Sequence, residues 1–290
     1  MEFENCGMKN PALIEQRKMK NMLSSLLLLL TSMAASVTQA DQQLQLAAPF
    51  TDNMILQRES DIPVWGFDAP GGQVTVEFAG QTKTAVADKN GDWTMTLDPL
   101  DVSREERHFN VKNNRGESID LQGVLVGEVW FSSGQSNMVW EAGKSMCSEI
   151  AREIAGAKED IPIREININT VSALYPQKKT TSDGGWKKAK GASGFSALSL
   201  SFAYELHKEL NMPIGILLSA HSNTRVEAFT QRQAFEMHPK LKGDVDLMHD
   251  ADPLTEQGRN AYANYYDDLK AWQQEAGEIA VAGGKIPTRP

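Results

Sequence analysis

The chain has 290 residues, 41% of them hydrophobic and 23% charged, with a formal net charge of -9. That length can bury a substantial core in one large domain or two ordinary ones, and the composition excludes a disordered polymer. The acidic balance and the scatter of Lys and Arg leave no basic face, so no nucleic-acid partner is expected.

Residues 1–40 read as leader and export signal rather than as fold. "QRKMKN" supplies a positive start, "MLSSLLLLL" (Met22 to Leu30) an apolar stretch, and "TSMAASVTQA" small residues ending at Ala40, with Thr38 and Ala40 suited to a signal peptidase. The apolar stretch is shorter than the ~20 residues a membrane-spanning helix needs. A cleaved signal, a periplasmic or secreted location, and no stable membrane insertion after cleavage are therefore expected. Cleavage removes Cys6 and leaves Cys147 alone, so no internal disulfide is expected. Cys147 lies in "SMCSEIAREIAGA", a predicted helix in which a small apolar side chain packs.

Residues 41–123 have an all-β texture. "QVTVEF" and "DWTMTL" alternate apolar and polar residues, and "HFNVKN" and "SIDLQGV" continue the pattern. "DKNGD" between "KTAVA" and "DWTMTL" predicts a hairpin turn at Asn90-Gly91. Short strands broken by "DAPGG" and "NNRGE" predict a small β-sandwich. Asp88, Asn90 and Asp92 have the spacing of part of a calcium loop, but the remaining ligand positions and the terminal Glu are missing, so no metal is expected.

From Val124 to Pro290 the period changes to α/β. The apolar strand "VLVGEVWF" precedes a helix near Ser145 to Ala157, a strand "IREININ", a helix "ALSLSFAYELHKEL" and a strand "IGILLSA". This alternation predicts a parallel sheet flanked by helices, with its ligand site beyond the carboxyl ends of the strands. Two strands end in small polar residues there, "FSSGQSNM" and "SAHSNTRVEAF".

Ser136 stands in the first of these turns, after Gly134 and before Asn137. A serine hydroxyl is a weak nucleophile at neutral pH, so an enzyme exposes it on a tight turn beside a base and oxyanion donors. A strand-end serine can equally cap the helix that follows, and position alone leaves both readings open. Met138 stands where a G-x-S-x-G elbow has its second glycine, so the turn is not that motif.

"GEVWFSSGQSNM" resembles the serine block of the SGNH-type carbohydrate O-acetylesterases, the group that includes sialate O-acetylesterase and bacterial hemicellulose acetylesterases. The resemblance extends from about Leu44 to Phe229, through "FTDNMILQRESDIPVWGFDAPGGQVTVEF" on one side and "GFSALSLSFAYELHKELNMPIGILLSAHSNTRVEAF" on the other. It implies an SGNH-hydrolase-like α/β fold and a serine esterase without cofactor that removes acetyl groups from a carbohydrate. By position it makes Ser136 the nucleophile and its backbone N–H one oxyanion donor, with Asn223 as the amide donor and Gly194 as the glycine donor. Gln135, Asn137, His221 and Arg225 are the candidate substrate-binding residues. Many relatives have "WGGTPIEAW" where this chain has "HSNTRVEAF", a departure that leaves the glycan open.

The family's general base comes from a C-terminal Asp-x-x-His or Asp-x-His pair, which the resemblance predicts beyond Pro290. The esterase domain, 124–290, is accordingly expected to lack its C-terminal part and to be weak or inactive alone. A truncated or non-catalytic carbohydrate-binding protein of the same fold is the alternative. His238, in "FEMHPKLK", reads as a loop histidine at a helix end, and His207, His249 and His108 as structural. In the helical "NAYANYYDDLKAWQQEAGEIA", Tyr262, Tyr266, Leu269 and Trp272 form an apolar stripe that spacing assigns to a core rather than to a sugar platform.

Overall fold

The computed structural model describes residues 42–146, 148–171 and 173–290. The expected signal segment, Cys6 and Cys147 lie outside the described residues. Contacts divide the chain into two units, Met1–Glu128 and Val129–Pro290.

In the first unit, β1 (Gln45–Leu46), β3 (Ile62–Phe67) and β6 (Asp92–Leu97) form one antiparallel sheet in the order β1-β3-β6. A second ladder joins β5 (Gln81–Val86), β4 (Gln73–Phe78), β7 (Ser103–Asn113) and the start of β8 (Ser118–Gly134), all antiparallel. β2 (Ile55–Gln57) adds to it parallel to β8 at Leu125 to Gly127. Period-2 alternation does the sorting, because successive side chains of a strand point to opposite faces. Val74, Val76 and Phe78 of β4 and Trp93, Met95 and Leu97 of β6 are all buried.

Two features depart from the sequence reading. Asn90-Gly91 is a turn, but not a hairpin: β5 hydrogen-bonds to β4 and β6 to β3, so the turn passes the chain from one sheet to the other. The Asp88 carboxylate shapes it by accepting from Asn90 N–H at 2.7 Å and Asp92 N–H at 3.0 Å. Gly91 has φ +84°, and a Cβ there would lie 2.4 Å from the Asp68 carbonyl. The within-sheet hairpin is instead β4–β5, turned by Ala79 and Gly80, both at positive φ. Second, the division falls after Glu128 rather than Gly123, because "VLVGEVWF" is the later half of β8 and its Val124, Leu125 and Val126 are buried beside β2.

The second unit is mixed α/β. β9 (Ile163–Asn167) and β11 (Ile214–Ala220) pair in parallel, the end of β8 lies next to β11, and β10 (Lys187–Lys188) flanks β9. The expectation of a parallel sheet is corrected at that edge, where β10 runs antiparallel to β9. The chain returns there through a loop and contributes two residues, both lysines, whose charge blunts an edge strand.

The helices are α1 (Ser136–Val139), α2 (Ser148–Gly156), α3 (Ala197–Leu210), α4 (Arg232–Glu236), α5 (Lys242–Asp250) and α6 (Glu256–Val281). α3 starts where the Ser196 hydroxyl accepts from Ser199 N–H, and it stops at Asn211, in the left-handed conformation, two residues before Pro213. Ala197, Leu200, Ala203 and Tyr204 recur on one face and pack with Ile163, Ile214 and Ile216. The core expectation for the aromatic stripe on α6 is overturned at its two tyrosines. Tyr262 is 41% and Tyr266 55% exposed, and the buried residues of that helix are Gly258 and Ala276. Spacing placed the four side chains on one face; its Tyr262 and Tyr266 end is open to solvent, while Leu269 and Trp272 are half-buried, the Trp272 indole N–H donating to the Pro287 carbonyl at 3.0 Å.

Candidate active site

β8 ends at Gly134, whose φ of +147° lies where side chains are strained. Ser136 then opens α1, a single turn: Met138 N–H donates to the Gln135 carbonyl at 2.8 Å and Trp140 N–H to the Ser136 carbonyl at 3.2 Å. Ser136 is half-buried, and Gln135 and Asn137 are exposed on either side. Glycine is thus what lets an extended strand turn into a helix within two residues.

The neighbouring strand ends are tied to this turn by hydrogen bonds. His221 N–H, just past β11, donates to the Gly134 carbonyl at 3.0 Å. Its Nδ1 lies 3.2 Å from the Thr170 hydroxyl, in the segment that follows β9. His221 therefore links the ends of three strands, at the sheet edge where ligands bind in such folds. Asn223 lies two residues on, exposed, with φ +59°, a left-handed conformation that asparagine adopts more readily than most residues. The Arg225 guanidinium pairs with Glu227 and is also exposed.

On its other side the serine turn is stitched to the start of α3. Ala197 N–H donates to the Trp140 carbonyl at 2.7 Å, Ala142 N–H to the Phe195 carbonyl at 2.8 Å, and Glu141 and Ser196 form a β-bridge. The Met138 sulfur accepts from the hydroxyls of Ser196 and Ser199 at 3.6 and 3.4 Å. Gly194 ends the 3-10 turn Ala189–Gly194 immediately before Phe195. A Cβ on Gly194 would meet nothing within 4 Å, nor would one on Gly191, so crowding does not explain glycine at either position. Beside the turn lies an open cavity of about 350 Å³ lined by Val139, Trp140, Glu141 and Lys144.

Sequence reasoning missed Glu165. It sits on β9 at 4% exposure, and Ser196 N–H donates to its two carboxylate oxygens at 3.2 and 3.1 Å. Burial pushes its pKa up to about 7, while the Ser196 amide and then the Lys187 charge pull it partly back. The available signal was a carboxylate between Ile163 and Ile166 in a parallel strand, a place where both faces are covered.

The structure brings Ser136, His221 and the Gly194 turn into one hydrogen-bonded neighbourhood and leaves Asn223 and Arg225 on an exposed loop beyond it. Among the described residues, no histidine is hydrogen-bonded to Ser136. His207 Nδ1 is 2.7 Å from the Met212 carbonyl, His108 is 3.0 Å from Asp120, and His238 is exposed before the 3-10 turn Pro239–Leu241.

A serine on a strand-end glycine turn, beside the ends of parallel strands, is an arrangement suited to ester hydrolysis by an α/β fold. The chain resembles the carbohydrate O-acetylesterases in both sequence and structure. It is 28% identical over 210 residues to sialate O-acetylesterase of Mus musculus, covering 65% of this chain and 38% of that one. It is 25% identical over 207 residues to the human sialate O-acetylesterase, covering 66% and 39%. A solved carbohydrate acetylesterase from Xanthomonas citri superposes with a TM-score of 0.61 at 29% identity, over 69% of this chain and 45% of that one. The chain thus spans less than half the length of these relatives. No family model matches it.

Proposed function

We propose that the chain carries the serine-bearing part of an exported carbohydrate O-acetylesterase. Ser136 attacks the carbonyl of an O-acetyl group, and the Ser136 N–H and Asn223 amide stabilise the oxyanion. The intermediate collapses by breaking the ester C–O bond so that the sugar hydroxyl leaves with the proton given up by the serine, and water then releases acetate from the acyl-serine and restores the Ser136 hydroxyl. Gly194 supplies a further backbone donor, and Gln135, Asn137, His221 and Arg225 line the substrate side. The first unit is read as a β-sandwich, supported by its two separate ladders with alternating burial. The observation that carries the catalytic reading is the tie of His221 and the α3 start to the Ser136 turn, which fixes the serine at the strand ends.

The test is acetyl capture. With excess 4-nitrophenyl acetate, mass spectrometry of the digested protein is expected to find one acetyl group on the peptide carrying Ser136 and none there in Ser136→Ala. Acetylation confined to lysines or to another hydroxyl would overturn the assignment. A second reading, carbohydrate binding without turnover, is favoured by the lack of a histidine bonded to Ser136 among the described residues. It requires an acetylated glycoside to bind wild type and Ser136→Ala equally while Ser136 takes up no acetyl.

A further inference from the structure

We propose that Glu165 is a positioning residue that holds the Gly194–Ser196 turn against the serine turn through the Ser196 amide. The path runs through hydrogen bonds of main-chain N–H groups. The carboxylate accepts from Ser196 N–H at 3.1 Å, Ser196 forms a β-bridge with Glu141, and Ala197 N–H donates at 2.7 Å to the carbonyl of Trp140. Trp140 N–H in turn donates to the Ser136 carbonyl at 3.2 Å. A charged acceptor on one main-chain N–H is stronger than a neutral one, so ionised Glu165 grips the turn and protonated Glu165 slackens it. The carboxylate is buried on β9 with no guanidinium among its bonded partners; its ligand is the backbone of the turn itself.

The groups around it make it a titrating clamp near neutrality. β10 presents Lys187, opposite Glu165 in register, which also pairs with Asp183 at 3.4 Å. β11 presents Ile216 in register, and α3 presents Ser196 and Ser199, none of them charged. Glu141, across the β-bridge, is neutralised by Lys144 at 2.8 Å. Arg164, adjacent on the strand, points to the other face by alternation. Burial sets the pKa of Glu165 at about 7, with Lys187 the opposing charge.

The clamp itself does not depend on Ser136 being the reacting serine; its consequence for catalysis rests on that reading. The experiment follows backbone amide resonances of the full chain from about pH 5 to 9, bracketing the Glu165 midpoint. The amides of Ser196, Gly194 and Ser136 are expected to move together with one midpoint near 7. Glu165→Gln is expected to abolish the midpoint at all three, and Lys187→Gln, an exposed change, to raise it. Titration of Ser196 alone, with Gly194 and Ser136 unmoved, would reduce Glu165 to a buried acid and overturn the proposal, as would no midpoint at Ser196 in the folded wild type. Should Glu165→Gln fail to fold, wild type and Lys187→Gln still decide the matter. Acetylation of Ser136 run over the same pH range separates the two readings. If Ser136 takes no acetyl at any pH while the three amides titrate together, the function fails and the clamp stands.

Discussion

Two stretches of the second unit are built from the same kinds of residue and end up differently. In 129–220, strands and α3 enclose Ile163, Leu200, Ala203 and Ile214 with no exposed surface. In 231–290, α4, α5 and α6 bury Phe235, Asp252, Gly258 and Ala276 and leave Leu247, Leu254, Tyr262 and Tyr266 in solvent. A β-ladder gives a helix a flat apolar floor; helices with polar flanks give one another little. What holds the second stretch is polar. The buried Asp252 carboxylate accepts from the Tyr175 hydroxyl, from Leu254 N–H at 2.9 Å and from Arg232 at 3.3 Å, while Thr255 caps α6 through Gly258 N–H at 2.9 Å.

The contrast breaks most sharply at Leu200. Leu200→Ala is expected to destabilise by about 2–5 kcal/mol, the cost of a cavity in a packed core, measured by denaturant unfolding. A loss under about 1 kcal/mol would mean that α3 is not held by its floor.

Acid separates the stretches by sign. Glu165 is raised from 4.5 to about 7 on folding, so the native state holds the extra proton. Its contribution is fully present below 4.5 and is lost as pH rises through 7, an effect of about 3 kcal/mol at most, absent in Glu165→Gln. Asp252 runs the other way. The Tyr175 hydroxyl, then Leu254 N–H and Arg232, hold its carboxyl below the ordinary 3.8, against the opposing effect of burial. That contribution is present above 3.8 and is lost as pH falls through the lower folded value, a smaller change expected to open α4–α6 first. Hydrogen exchange at low pH checks it: protection should fail in α5 and α6 before α3.

The smallest effect sharpens the comparison from the tail side. Tyr266→Ser is expected to change stability by less than about 0.5 kcal/mol, as for other open surface positions. A loss comparable to that of Leu200→Ala would mean that the face is covered in solution.

The contrast also separates what the sequence could say from what it could not. α3 and β11 were readable to their ends, because Ser196 caps one and Asn211–Pro213 separates them. Local chemistry places such boundaries. The turn at Asn90-Gly91 was readable as a turn, but which sheet each arm joins depends on β3 and β4, elsewhere in the chain. The α6 stripe was readable as a face, but not that its Tyr262 and Tyr266 end stands in solvent while Leu269 and Trp272 are half-buried. At the site, Gly134 and Ser136 carried a residue signature, whereas the His221 N–H bond to Gly134 runs through backbone atoms common to every residue type. Glu165 was passed over because its partner is also a main-chain group, the Ser196 amide.

The stitching of the serine turn has a consequence for how such a site can diversify. Gly134, Ser136, Trp140, Ala142, Phe195, Ala197 and His221 hold one another by N–H and C=O groups alone. Gln135, Asn137 and Trp140 point outward from that frame and are exposed. Substitution there can change what the turn presents to a ligand while the scaffold bonds persist, so selection can vary that surface one residue at a time without first dismantling the turn.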